Sequence, residues 1–209
     1  MKLPDKPAST PTPQSTKKTT TSVAVWVTVL LVVLGGIITT AIVRSQIESI
    51  KNNGKNTSLL TSSDWETYNS TQDDFSVKFP GFPVVENSSL DVQGYSIPYN
   101  TYEKDNGDDF WIVAVSKYPP SFDMSDTKAR LEGALNGAIQ NTPGAVYVSS
   151  SYIKLDGHTA LKGKYKVVIS GETYDMYYLA TLRGNTLYGL LGSSSESDFD
   201  IFINSFQST

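Results

Sequence analysis

A hydrolase of the Ser–His–acid kind would have to be built around His158, the sole histidine among 209 residues. Such a triad needs its imidazole beside an activated serine. The chain is rich in serine but has no G-x-S-x-G elbow to present one, and His158 follows Asp156-Gly157, a turn signal, so it reads as a strand-start residue. A second kind of chemistry is cation binding by Glu103, Asp105, Asp108 and Asp109, which cluster on one expected hairpin. Calcium takes six to eight oxygens, yet the D-x-[DN]-x-[DN]-G pattern is not met, and a solvated hairpin tip accounts for these residues. The run Ser193-Ser194-Ser195-Glu196-Ser197-Asp198 offers backbone N–H groups to a phosphate at a helix start, but Glu196 and Asp198 already complement that helix end.

With no cysteine, neither disulfides nor thiolate chemistry is open to the chain. Three N-x-[ST] sequons stand at Asn56, Asn69 and Asn87, a number that chance supplies in so Ser-, Thr- and Asn-rich a sequence. Twelve tyrosines, among them Tyr174, Tyr177 and Tyr178, suit either a recognition surface or ordinary strands, and the strand reading is the stronger because aromatics favour strands. No catalytic, cofactor-binding or metal-binding residue is therefore assigned.

The elements that hold these residues follow from composition and period. Residues 23–43, VAVWVTVLLVVLGGIITTAIV, contain no charged side chain. Wound as a helix they span about 32 Å, enough for a hydrocarbon core of about 30 Å, and a transmembrane helix is expected. An apolar run of this length exceeds that of a cleavable signal peptide. Residues 1–22 mix Pro, Ser, Thr and Lys with too few apolar groups to fold, and a disordered tail is expected there. Lys17 and Lys18 beside the span favour a cytoplasmic amino terminus, with the carboxy-terminal part outside the membrane. Residues 44–63 form a linker or stalk that Asn52-Asn53-Gly54 keeps from continuing the helix.

Residues 64–209 then make one domain. From 45 onward the chain carries twelve Lys/Arg against twenty Asp/Glu, an acidic balance that argues against nucleic acid as a partner. Asp64 to Tyr68 is expected to form a short helical turn that packs Trp65. Phe75, Val77 and Phe79 alternate with polar neighbours as a half-buried strand. Strands are expected at about 84–92, 96–104 and 109–117, the last of them apolar on both faces and therefore central. Leu131, Ala134, Leu135, Ala138 and Ile139 lie at helical offsets, after a cap at Ser125 or Asp126 and before the Thr142-Pro143-Gly144 stop. Strands follow at about 145–155, 159–169, 173–182 and 186–192. Phe199, Phe202, Ile203 and Phe206 share the face of a closing helix.

The stretches FSVKFPGFP at 75–83, EKDNGDDFWIVAVSKYP at 103–119, KLDGHTALKGKY at 154–165, YYLATLRGNTLYGLLG at 177–192 and DFDIFINSF at 198–206, in that order and with the helix carrying Leu131 between them, resemble the Mog1/PsbP-like family. The resemblance covers residues 64–208. It implies an α+β fold, an α/β/α sandwich around an antiparallel sheet, in a family whose members bind partner proteins or assist a membrane complex. No site residue transfers, because the matching positions are core and turn positions. The expected role is a single-pass, membrane-anchored extracytoplasmic interaction module that binds an envelope or surface protein, touches lipid through residues 23–43, and catalyses no reaction. The alternatives are an envelope hydrolase using Ser and His158, or a structural surface subunit of the pilin kind, which the lack of any acid in 23–43 disfavours. The sequence sets no oligomeric state.

Overall fold

The computed structural model describes residues 65–92, 95–106, 109–169 and 171–208. The expected tail at 1–22, span at 23–43 and linker at 44–63 lie outside the described residues. Among the described residues, no helix is long and apolar enough to cross a membrane.

The chain runs β1 (Glu66–Ser70), β2 (Phe75–Phe79), β3 (Val84–Val92), β4 (Tyr95–Asp105), β5 (Phe110–Lys117), α1 (Thr127–Gln140), β6 (Ala145–Leu155), β7 (His158–Ile169), β8 (Glu172–Arg183), β9 (Thr186–Ser193), α2 (Glu196–Asn204) and β10 (Gln207–Ser208). From β3 to β9 the strands fall within a residue or two of the expected ranges, because Gly and Asn turns set where each alternating run must stop; the short β10 has no counterpart among those ranges. The start of the domain differs from expectation. Residues 66–70 are a strand instead of a helical turn, since their backbone groups pair antiparallel with β2, Tyr68 opposite Val77. Long-range pairing overrides the local preference there.

Among the described residues every strand pair is antiparallel, in two sheets: a small one ordered β1-β2-β10 and a large one ordered β3-β4-β5-β9-β8-β7-β6. The large sheet is covered on both faces. On one, Leu131, Ala134, Leu135 and Ala138 of α1 press onto Ile112, Leu161, Tyr165 and Tyr178. On the other, α2 contributes Phe199, Phe202 and Ile203, the small sheet contributes Phe75, Val77 and Phe79, and both meet Trp111, Leu179 and Leu190. Strand β5 sends Phe110 and Ile112 to the first core and Trp111 and Val113 to the second, so it is the doubly covered strand its sequence predicts. The sandwich is thus α1, then the large sheet, then a mixed layer of α2 and the small sheet. Trp65 closes that mixed layer edge-on to Trp111, with ring centroids 5.4 Å apart.

Local chemistry fixes the helix ends. Asp126 accepts a hydrogen bond from Ala129 N at 3.1 Å and starts α1, and the Thr142 hydroxyl donates to Ala138 O at 2.7 Å where it stops. Close approach of α1 to the sheet depends on Gly163, where an added Cβ would lie 2.7 Å from Leu135 Cδ1. A side chain at this position would force the buried Leu135 methyls of α1 to shift.

Candidate functional site

Among the described residues, strand β6 forms one margin of the large sheet and pairs only with β7. It is exposed along most of its 11 residues, and its outward side chains include Val146, Tyr147, Val148 and Tyr152, which keep 60%, 52%, 44% and 38% of their surface in solvent. Proteins commonly blunt such an edge with charge, proline or a bulge. Here the sequence AVYVSSSYIKL has one charged residue, Lys154, and no proline. Its one irregularity is a bulge between Tyr147 and Ser149. The N–H and C=O groups along its outer side are a template for a further strand.

A cleft flanks this strand on each face. On the α1 side, a cavity of about 310 Å3 is lined by Glu132, Leu135, Asn136, Tyr147, Ser150 and Leu161. The Tyr152 hydroxyl donates to Glu132 Oε1 at 2.6 Å, and Lys128 Nζ sits 5.1 Å from the centre of the same ring, so the ring is anchored from the helix. On the α2 side, a cavity of about 270 Å3 lies among Ser149, Ser151, Lys162, Lys164, Tyr177 and Glu196. Both lysines there are already engaged, Lys162 with Asp200 at 2.6 Å and Lys164 with Asp175 at 2.7 Å. The hydrogen bonds that Lys164 donates to Asp175 and Tyr177 raise its proton affinity and hold it charged. This arrangement offers backbone hydrogen bonds, small hydroxyls and apolar rings to an extended chain.

The residues singled out from the sequence are placed elsewhere. His158 is exposed at the start of β7, and among the described residues no serine or carboxylate hydrogen-bonds to its ring. Glu103 stands half-buried near Glu86 and Asp105 beside a cleft of about 240 Å3. Burial first, then the charges of Asp105 and Glu86, push its carboxyl up to about 7. Asp108 lies outside the described residues, and no grouping among the described ones is arranged to hold a metal ion. Ser195 caps α2, accepting from Asp198 N at 3.1 Å and donating to Asp198 Oδ2 at 2.7 Å, so the Ser-rich run serves the helix end. Tyr177 and Tyr178 are core residues, and Tyr174 donates to Glu172 Oε2 at 2.8 Å. Asn69 and Asn87 are exposed strand residues, and Asn56 lies outside the described residues.

Sequence reasoning missed a buried polar cluster in the β1–β2 turn. Asp73, fully buried, accepts at Oδ2 from Tyr102 Oη at 2.7 Å and from Asn100 Nδ2 at 2.9 Å. Its other oxygen has the Lys117 ammonium at 3.2 Å, off the direction of a hydrogen bond. The Asp73 backbone donates to Ser70 Oγ at 3.2 Å and accepts from Tyr188 Oη at 2.9 Å, and Ser70 Oγ lies 2.7 Å from Tyr102 Oη. Burial, reinforced by Asp73, raises the proton affinity of the Tyr102 hydroxyl despite the Ser70 bond. With its polar atoms turned on one another, the cluster is a lock between the two sheets. Its sequence signal, Ser70 three residues before Asp73 in a turn, is too common to stand out.

The fold defines the chain as an antiparallel, sheet-rich α+β protein. Among solved structures it is similar to cyanobacterial PsbP (CyanoP) from Synechocystis, with a TM-score of 0.48 and 18% identity, the match covering 74% of this chain and 98% of that one. It is also similar to LpqN, involved in cell envelope biogenesis of Mycobacterium tuberculosis, with a TM-score of 0.38, 14% identity, and coverage of 77% and 94%. A structure from Bacteroides thetaiotaomicron matches with a TM-score of 0.43, 15% identity, and coverage of 70% and 49%. No protein-family model matches the sequence, and no curated protein matches it.

Proposed function

We propose that this protein is a single-pass, membrane-anchored interaction module that presents its folded domain outside the cytoplasm and binds an envelope or surface protein, without catalysing a reaction. The observation that carries the reading is the margin of β6, where apolar and hydroxyl side chains flank a strand edge that pairs with no other strand among the described residues, between two clefts. An exposed edge of this kind takes a partner by adding a strand, with main-chain hydrogen bonds supplying affinity and the flanking pockets supplying selectivity. The charge-free run at 23–43 supports anchorage, and Lys17 with Lys18 supports a cytoplasmic amino terminus.

The test places a photo-crosslinking residue at Val148 on β6 or at Ser88 on β3, the opposite margin, in the full chain produced in cells. A covalent adduct specific to position 148 is the expected result; no adduct at 148, or the same adducts at both positions, overturns the reading. Protease added to intact cells should digest the domain and spare a tag at the amino terminus. A fully protected domain would refute the topology.

A further inference from the structure

We infer that the strand received by β6 is the β6 of a second copy of this chain, docked antiparallel across a two-fold axis through Ser150. The inference rests on the reading of β6 as a docking edge and names its occupant. An isologous interface requires a patch complementary to itself, and β6 meets that condition residue by residue. With Ser150 on the axis, Ser149 faces Ser151 of the second copy and Tyr152 faces the bulge. A bulge sets two residues against one, so Tyr147 and Val148 together oppose the single Tyr152. Beyond it, Val146 comes opposite Ile153, and Ala145 opposite Lys154.

The faces of the sheet agree with this register. Opposed residues of an antiparallel pair share a face, and an axis normal to the sheet leaves each face on its own side. Pairing with β7 puts Val146 opposite Lys166 and Ile153 opposite Ala160, both on the α2 side. It puts Ala145 opposite Val167, Tyr152 opposite Leu161 and Lys154 opposite Thr159, all on the α1 side. Without the bulge, Val146 would oppose Lys154 on the wrong face. The bulge therefore brings the two halves of the strand into register with each other.

The chemistry also agrees. Aromatic and β-branched residues meet across the join, the pairs that best stabilise neighbouring strands, while the centre is three serines with little bulk to obstruct approach. Lys154, the one charge on the strand, falls opposite Ala145, so no like charges confront each other. The anchored Tyr152 rings arrive with their orientation already set by Glu132 and Lys128.

The chain has no cysteine, so S150C supplies its sole thiol. Opposed Cα atoms in an antiparallel pair lie about 4.5–5.5 Å apart, inside the 4.4–6.8 Å that a disulfide spans. Full-length S150C in its native membrane, treated with diamide as oxidant, should give a disulfide-linked dimer at least tenfold faster than S88C on the β3 margin. Adding V148K to S150C should slow that linkage at least tenfold, and full-length wild type in mild detergent should sediment as a dimer. Equal rates for S150C and S88C indicate random collision and overturn the proposal, as does a monomeric wild type. If the photo-crosslinker at Val148 captures a different polypeptide while S150C does not self-link, the second copy is excluded and the interaction reading stands. If neither position captures anything, both fall.

Discussion

Replacing Asp73 with alanine tests whether the buried cluster is what joins the small sheet to the large one. The carboxylate accepts two short hydrogen bonds from groups that are themselves buried, Tyr102 Oη and Asn100 Nδ2. A hydrogen bond to a charged partner contributes about 1.5–3 kcal/mol. Removal of the acceptor also leaves the Asn100 amide without it, whereas Tyr102 retains Ser70 at 2.7 Å. The expected loss is about 3–5 kcal/mol, a large share of the 5–15 kcal/mol typical of one domain. Asp73→Asn should recover only part of it, because its NH2 group would point at another donor. The assay is urea unfolding at pH 7 of residues 59–209, followed by fluorescence of Trp65 and Trp111, both of which are buried. Deleting residues 1–58 is expected to leave a soluble, cooperatively unfolding domain, and a fragment that aggregates would overturn the domain boundary. A loss under about 1 kcal/mol for Asp73→Ala would refute the reasoning and reduce the cluster to an ordinary turn.

Two further predictions concern the sheet. Burial raises Glu103 from 4.5 to about 7 in the folded state, so the folded protein binds the extra proton between those values, and stability falls as pH rises from about 4.5 to about 7. Glu103→Gln should flatten that slope and stabilise the domain at pH 8 by roughly 1–2 kcal/mol after allowance for solvent screening; urea midpoints that respond to pH identically in both proteins would exclude the effect. Gly163→Ala would place a Cβ 2.7 Å from Leu135 Cδ1, and displacing that buried side chain should cost about 1–3 kcal/mol, read as a lower melting temperature. An unchanged melting temperature would show that Leu135 can turn aside freely.

Several features were legible in the residues alone because they depend on local period and composition. The alternation at Phe75, Val77 and Phe79, the helical offsets from Leu131 to Ile139, the doubly apolar run of β5 and the Gly- and Asn-bearing turns each place one element without knowledge of its neighbours. The charge-free run at 23–43 and the acidic balance beyond it are likewise sequence properties. Tertiary structure decided what depends on adjacency. A period of two tells which side chains share a face but not which strand lies alongside, so nothing in AVYVSSSYIKL marks β6 as a sheet margin instead of an interior strand. The same limit concealed Asp73, whose partners lie 27 and 29 positions away at Asn100 and Tyr102, and it let residues 66–70 pass for a helical turn until β2 was there to pair with them. Side-chain pattern is a one-dimensional property, whereas an open edge and a buried carboxylate are defined only by what the folded chain places, or leaves unplaced, beside them.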